Sequence, residues 1–368
     1  MDSTSSLNLP KFLVDIVIPI WNQPERTKRC LESVLRSTSE PVRLILIDNG
    51  SLASTRDYLE QFKRESSAPV RLIQNPTNLG FIKATNQGIR AGQAPWVCLL
   101  NNDTVVTPGW LTEMLKAAAD PQVGLVNPTS NSLGFHAPND SIEPYAESLK
   151  EETGKWTELP IALGFCLLAK RTLLDQVGLL DESFGMGNFE DDDLSRRVKK
   201  VGLRCVRACG SYVYHEEKIS FKELPDWEKG FDENRRRFEE RWGRSLRILW
   251  GPIPPSGFEP PIKEAALKLA GQGHWLHFVT LGALPKEISA HAQVTSVPAD
   301  SARWRFQATS RLLLRRKKPF DLVISSDTAW SRWIQRLRWL HQAKVLPHPT
   351  DQQILAACRQ LSQRDESQ

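Results

Sequence analysis

The sequence predicts an α/β protein: a mostly parallel sheet with helices on both faces, followed by a second, smaller α/β domain. Three observations predict it. Residues 14–20 and 42–47 are dense β-branched and apolar runs, as expected of parallel strands buried on both faces. Stretches of helical apolar spacing separate such runs, so strand and helix alternate along the first hundred residues. Two strands end abruptly in small polar residues, Asp48-Asn49-Gly50-Ser51 and Asn101-Asn102-Asp103. In an open parallel sheet, ligands gather outside the carboxyl ends of the strands.

In chain order, strand 14–20 breaks at Trp21-Asn22-Gln23-Pro24, and residues 26–37 carry Cys30, Leu31, Val34 and Leu35 at helical spacing. Strand 42–47 precedes a helix over 54–64 with Tyr58, Leu59 and Phe62 on one face. Strand 70–74, a turn at 75–80, a short helix over 81–91 and strand 96–100 follow. A helix over 110–119 and a strand at 123–127 lead into a Ser/Asn/Pro-rich excursion over 128–157, long enough to face substrate. The strand expected at 163–168 has Gly164 near its start, where backbone can approach a ligand. A helix over 171–177, a strand at 203–208, an edge ending Tyr212-Val213-Tyr214-His215 and a helix over 235–242 complete this part.

The two polar strand ends therefore share one edge of one sheet. Asp48 is placed to accept from the N3–H of a uracil or similar base, and Asp103 to reach a metal on a diphosphate. The competing reading is a polar turn, which such residues also make. No G-x-G-x-x-G or Walker loop is present here, which argues against a dinucleotide or ATP site.

A second chemical centre is Gly185-Met186-Gly187-Asn188-Phe189 running into Glu190-Asp191-Asp192-Asp193. Acidic residues in a first helical turn suit the helix dipole. Four exceed that need, and clustered carboxylates raise one another's pKa toward the range of a general base. Helical geometry puts Glu190 and Asp193 on one face and Asp191 elsewhere, so at most two of the four are expected to face one substrate. His215 reads as a metal ligand or as a partly buried polar residue.

At 368 residues the chain is long enough for two domains, and its ordinary apolar and charged fractions allow a substantial core. The six cysteines form no paired CxxC motifs and read as reduced, buried small hydrophobes. The apolar run near the N-terminus is too short for a membrane span and contains Asp15, so a cytoplasmic location is expected. The net charge of +5 is uneven. Residues 303–338 carry Arg303, Arg305, Arg311, Arg315, Arg316, Lys317, Lys318, Arg332, Arg336 and Arg338 against Asp321 and Asp327.

Residues 14–220 resemble the family-2 glycosyltransferases of GT-A fold, inverting enzymes that use nucleotide-diphosphate sugars. The resemblance rests on Ile18-Pro19-Ile20-Trp21-Asn22, Asp48-Asn49-Gly50-Ser51, Asn78-Leu79-Gly80-Phe81 with Ala84-Thr85-Asn86-Gln87-Gly88, Leu100-Asn101-Asn102-Asp103-Thr104, and Phe189-Glu190-Asp191-Asp192-Asp193-Leu194. It covers somewhat over half of the chain. The nucleotide site it implies comprises Pro19, Trp21, Asn22, Asp48, Asn49, Gly80, Lys83, Asn86 and Asn102, with Pro19, Trp21 and Asp48 bordering base and ribose. It also implies Asp103 as the metal carboxylate of a DXD-type site, with His215 as a further ligand. Asp191 would be the catalytic base and Glu190 the runner-up. Asn101 stands where a second carboxylate would be. The expected donor is a UDP or dTDP sugar, the cofactor Mg²⁺ or Mn²⁺, and the acceptor a glycan, a lipid-linked glycan or a protein. The rivals are a sugar-nucleotidyltransferase and a nucleotide-sugar-binding protein without catalysis.

The expected domains are a tail over 1–12, the GT-A domain over 13–245, a Rossmann-like domain over 246–358 and a frayed tail over 359–368. The third loosely resembles the N-terminal half of a GT-B glycosyltransferase and reads as an acceptor-binding or assembly module. Its Trp304, Trp330, Trp333 and Trp339 are interleaved with arginines. Three readings compete: core aromatics with a solvated basic face, a patch on anionic lipid at the inner face of the cytoplasmic membrane, and nucleic-acid binding.

Overall fold

Seven consecutive strand residues with little polar alternation need cover on both faces, and β1 (Val14–Ile20) has it. Ile16, Ile18 and Ile20 enter one core with residues of α1 (Pro24–Ser37), while Val17 faces the other side. The computed structural model describes residues 12–138, 141–216, 227–289, 291–314 and 318–363. The expected N-terminal tail lies outside them except for residue 12, and so does the end of the C-terminal tail. The chain divides into two units, Met1–Arg235 and Arg236–Gln368, each described here by itself.

In the first unit, β2 (Val42–Asn49), α2 (Ala53–Glu65), β3 (Val70–Asn75), α3 (Phe81–Ala91) and β4 (Trp96–Leu100) continue the alternation. Then come β5 (Thr104–Val106), α4 (Trp110–Ala118), β6 (Val123–Thr129), α5 (Ile142–Ser148), β7 (Trp156–Glu158), β8 (Cys166–Lys170), α6 (Arg171–Val177), α7 (Glu190–Lys200), β9 (Arg204–His215) and α8 (Trp227–Trp242). The sheet order is β3-β2-β1-β4-β8-β6-β9-β5, with β7 also beside β9. β1 to β4 pair in parallel, whereas β8 runs antiparallel to both β4 and β6.

Two features tie the early strands together. Gly88 lets α3 lie directly on the sheet, because a Cβ there would stand 2.5 Å from Val17 Cγ1 and 2.6 Å from Ile47 Cδ1. Asp15, the one charge in β1, is fully buried and fully used. It pairs with Arg43 and Arg171, each at 2.8 Å, and accepts from the backbone N–H groups of Gln93 and Ala94 at 2.7 Å. This charge cross-links β1, β2, the start of β4 and α6 at the end of the sheet away from the polar strand ends.

Three local expectations change. The strand expected at 163–168 is β8, three residues later at its start. The Asn127 amide bonds the Leu163 N–H and the carbonyls of Leu163 and Cys166 at 2.6–2.8 Å, so a side chain takes the place of the ladder there. The expected strand at 203–208 and the edge ending at His215 are one twelve-residue strand, β9, which pairs with β6 along most of its length and with β5 at its end. The described residues of the excursion over 128–157 have structure of their own, with 3₁₀ turns at Asn131–Leu133 and Leu149–Glu152, α5 and Trp156 entering β7.

The second unit contains β10 (Arg247–Ile253), α9 (Pro260–Gly271), β11 (Trp275–Thr280), α10 (Lys286–Ser289), β12 (Val294–Pro298), α11 (Trp304–Leu314), β13 (Leu322–Ser325), α12 (Thr328–Arg336), α13 (Arg338–His341), β14 (Lys344–Pro347) and α14 (Asp351–Ser362). All five strands are parallel, in the order β12-β11-β10-β13-β14. Alternate residues of β10 feed two cores. Ile248 and Trp250 join α9 and α14, and Leu249 joins α11 and α12. The fray expected from Arg359 does not begin there, because α14 continues to Ser362. Leu361 is buried, and the Ser362 hydroxyl donates to Arg244 O at 2.8 Å.

Candidate active site

The polar ends of β1 and β2 are joined before any ligand is considered. The Asn22 N–H donates to Ser51 Oγ at 2.9 Å, and the Leu52 N–H donates to Asn22 Oδ1 at 2.8 Å. Asp48 is buried; one oxygen accepts from the Ser51 N–H at 2.9 Å, and the other accepts no hydrogen bond among the described residues, with Arg56 3.8 Å away. Trp21 is 38% exposed beside them, and Pro19 is half-buried.

The remaining residues of the expected nucleotide site separate into different settings. The Asn49 amide is spent on the turn before α3, bonding Asn78 Oδ1 and Gly80 O and accepting from Asn75 and the Leu79 N–H. Gly80 has φ 86° and lies so close to Gly185 and Met186 that a Cβ would meet both at 3.1–3.2 Å. Asn86 is turned away to the other loop, where it bonds Leu180 N–H, Leu180 O and Glu182 Oε1 at 2.8–3.1 Å. Lys83 is exposed.

At the end of β4 the three polar residues have three different settings. Asn102 donates to Thr27 Oγ1 of α1 at 2.9 Å. Asp103 and His215 meet, with Oδ1 3.1 Å from Nε2 and both side chains about six-sevenths buried. Asn101 Nδ2 lies 3.4 Å from the same ring nitrogen, while its buried Oδ1 accepts no hydrogen bond among the described residues. The β5–β9 register, Thr104 opposite His215, is what brings these residues together across 112 positions of sequence.

His215 is held on every side. The Asn131 amide accepts from its N–H and donates to its carbonyl at 2.9 and 2.7 Å. Ser132 Oγ lies 2.9 Å from Nδ1, and Phe165 stacks on the ring at 5.1 Å. When Nε2 carries the proton it donates to Asp103; when the proton is on Nδ1 and donates to Ser132, the Nε2 lone pair can face a cation instead. The next residue, Glu216, receives Arg26 at 3.3 Å and Arg29 at 2.7 Å, both from α1.

A cavity of about 390 Å³ lies between this pair and the acidic start of α7. Asn101, Ser132, Phe165 and His215 line one side, Phe81, Leu163 and Gly164 another, and Glu190, Asp191 and Asp192 the third. Asp191 accepts from the Gly164 N–H at 3.1 Å, which ties the start of α7 to the backbone ahead of β8. Three of the four carboxylates thus line one cavity, against the expected maximum of two. The side-face rule does not apply to a helix viewed along its end. Only Asp193 turns away, to Arg197 at 2.8 Å.

Burial makes the three carboxyls hard to ionise together. Asp191 is raised above its ordinary value by burial, opposed by the N–H donors of Gly164 and Asp192. Burial and the Asp191 charge push Glu190 up to about 8 and Asp192 up to about 7.

The turn into α7 is strained. Asn188 and Phe189 have φ 78° and 72°, a left-handed pair that a bulky aromatic seldom adopts. Asn234 of α8 holds it, donating to Phe184 O at 2.7 Å and Gly187 O at 2.9 Å, while Phe231 packs on Phe189 at 5.1 Å. Sequence reasoning missed Asn234, and it also missed Asn131 and Ser132, since none belongs to a motif. The one available signal was an Asn inside a helix whose other polar residues are all charged. Asn234→Ala is expected to lower turnover about a hundredfold by letting the carboxylates shift. Steady-state kinetics alongside donor binding checks this, with binding expected to stay within about threefold.

A mainly parallel sheet with an antiparallel strand at its centre, covered by helices and opening on one cavity, is the GT-A architecture of glycosyltransferases. Residues 15–178 match the model of Glycosyl transferase family 2. An N-acetylglucosaminyl-diphospho-decaprenol L-rhamnosyltransferase of Mycobacterium tuberculosis is 29% identical over 56% of this chain and 77% of its own. The y4gI protein of Sinorhizobium fredii is 26% identical over 62% of this chain and 27% of its own, so the match spans about a quarter of that relative's length. A glycosyltransferase of Bacillus subtilis, EpsJ, is 23% identical over 58% of this chain and 64% of its own. Among solved structures, a Pyrobaculum calidifontis mannosyltransferase covers 95% of this chain and 87% of its own, with 15% identity and a TM-score of 0.48.

Proposed function

We propose that the chain transfers a sugar from a nucleotide-diphosphate donor to a hydroxyl acceptor, in one displacement that inverts the anomeric centre. The observation that carries this reading is the cavity lined by His215, which meets Asp103, on one side and by Asp191 on the other. In this reading Asp191 takes the proton of the acceptor hydroxyl as it attacks. Glu190 and Asp192 remain protonated nearby until about pH 8 and 7, so they leave the negative charge on Asp191.

Asp103 and His215 fit a divalent cation. Two ligand atoms at neighbouring corners of an octahedron with bonds of about 2.1 Å stand about 3 Å apart, and this pair is 3.1 Å apart. Among the described residues no group of three His, Cys, Asp or Glu side chains gathers for a metal, so the diphosphate and water would complete the shell. A bound Mg²⁺ or Mn²⁺ would offset charge growing on the leaving diphosphate. Arg26 and Arg29 add positive charge on the same side. The buried free oxygen of Asp48 supports a UDP or dTDP donor, because the N3–H of either base would satisfy it.

The name of the mycobacterial relative supports a lipid-linked glycan acceptor, and the second unit is read as the module that receives or positions it. Thermal denaturation of the full chain with a panel of nucleotide sugars, with and without Mn²⁺, tests the donor reading. The expected result is a rise of several degrees with a UDP or dTDP sugar, larger with Mn²⁺. No shift with any nucleotide sugar overturns it.

A further inference from the structure

The four tryptophans of the second unit split into two pairs. Trp304 and Trp330 are buried and meet edge-on at 5.3 Å, so they are core. Trp333 and Trp339 are 47% and 74% exposed. On the adjoining helices Phe306 is 77% and Leu340 49% exposed. Phe306, Trp333 and Arg305 border a common groove between α11 and α12, so these side chains form one surface and not scattered exceptions. Half of the large hydrophobic residues exposed among the described residues lie on α11, α12 and α13.

The same surface is cationic. Arg332, Arg336 and Arg338 are exposed along α12 and the start of α13, and Arg305 lies at the groove. Among the described residues of these three helices and their flanks, Asp327 is held by Arg305 at 2.6 Å. Asp321 is held by Arg244 at 2.7 Å. Asp300, ahead of α11, accepts from the Ala302 and Arg303 N–H groups at 2.8 Å, and the three arginines of α12 and α13 make no described ion pair. Indole and phenyl rings beside guanidinium groups fit the boundary of an anionic bilayer, where the ring enters the headgroup layer and the charge meets phosphate. A protein partner would need matching carboxylates. A nucleic acid would more commonly have stacking rings lining a continuous basic channel.

We infer that the α11–α13 surface docks on an anionic lipid bilayer, with Phe306, Trp333 and Trp339 as interfacial anchors and Arg332, Arg336 and Arg338 as the electrostatic contact. This concerns the second unit alone and stands whether or not the donor reading holds. No helix among the described residues is long and apolar enough to cross a membrane.

The test is sedimentation of the full chain with phosphatidylcholine vesicles, with and without 30% phosphatidylglycerol (roughly the anionic content at which basic surfaces bind well). Binding to the mixed vesicles only, falling steeply with salt, is expected. Arg332→Gln, Arg336→Gln and Arg338→Gln together are expected to weaken it on the order of a hundredfold. Phe306→Ser with Trp339→Ser is expected to weaken it about tenfold at constant salt dependence. All five positions are exposed, and unchanged thermal midpoints and nucleotide-sugar shifts verify that the variants are folded. Equal binding to neutral vesicles, no binding, or variants that bind like the parent overturn the inference. So does single-stranded RNA that binds more tightly than the vesicles and loses binding in the same variants.

Discussion

Asp191→Asn is expected to slow sugar transfer by about a thousandfold while leaving donor affinity within about threefold. Asparagine keeps an oxygen for the Gly164 N–H but cannot take a proton from an acceptor. Glu190→Gln is the matched control, expected to cost about tenfold or less, because Glu190 is protonated at neutral pH and does not supply the base. Rates measured by nucleotide release with a saturating acceptor separate the two; a larger loss in Glu190→Gln would transfer the role to that residue. The same pair predicts a pH effect on stability. Glu190 is raised from 4.5 to about 8, so the folded state holds its proton more tightly than the unfolded chain. The stability this contributes is complete below pH 4.5 and is lost as pH rises through about 8. The thermal midpoint should therefore fall between pH 5 and pH 8 in the parent, and fall less in Glu190→Gln. A parallel decline in both proteins would show that other groups control it.

Asp103→Asn is expected to weaken Mn²⁺-supported donor binding on the order of a hundredfold. The substitution preserves size and a hydrogen bond to His215 but removes the carboxylate that meets that ring at 3.1 Å. Titration calorimetry of a UDP sugar at fixed Mn²⁺ measures it, and unchanged affinity would remove Asp103 from the donor site. Asn101→Asp runs in the opposite direction. Its Oδ1 is buried without a hydrogen bond and its amide already faces His215, so a carboxylate there is expected to tighten Mn²⁺ about tenfold.

The alternation of strand and helix was legible because parallel strands buried on both faces and amphipathic helices have different periods. Asp48 and Asp103 at strand ends were legible because the direction of a parallel strand decides which end faces a ligand. The antiparallel β8 between β4 and β6 was not, since a short apolar run reads the same in either direction. Nor were the assignments within the motifs. Asn49 adjoins Asp48 and Asn86 lies in the separate stretch Ala84-Thr85-Asn86-Gln87-Gly88, yet the amides of both hold loops together, and only the surrounding backbone shows which groups needed a partner.

By itself the sequence determined the kinds of groups available and their local periodicity: an acidic helix start, a polar strand end with one carboxylate, and a basic, Trp-rich C-terminal third. Those depend on nearest neighbours along the chain. Only the tertiary structure decided which of them meet. His215 reaches Asp103 through a strand pairing across more than a hundred residues. Three carboxylates of α7 share one cavity because it views the helix along its end, and they resist ionisation because they are buried. Trp304 and Trp330 went inward while Trp333 and Trp339 stayed outside, since packing against β10 and β13 has room for one face of each helix and none for the other.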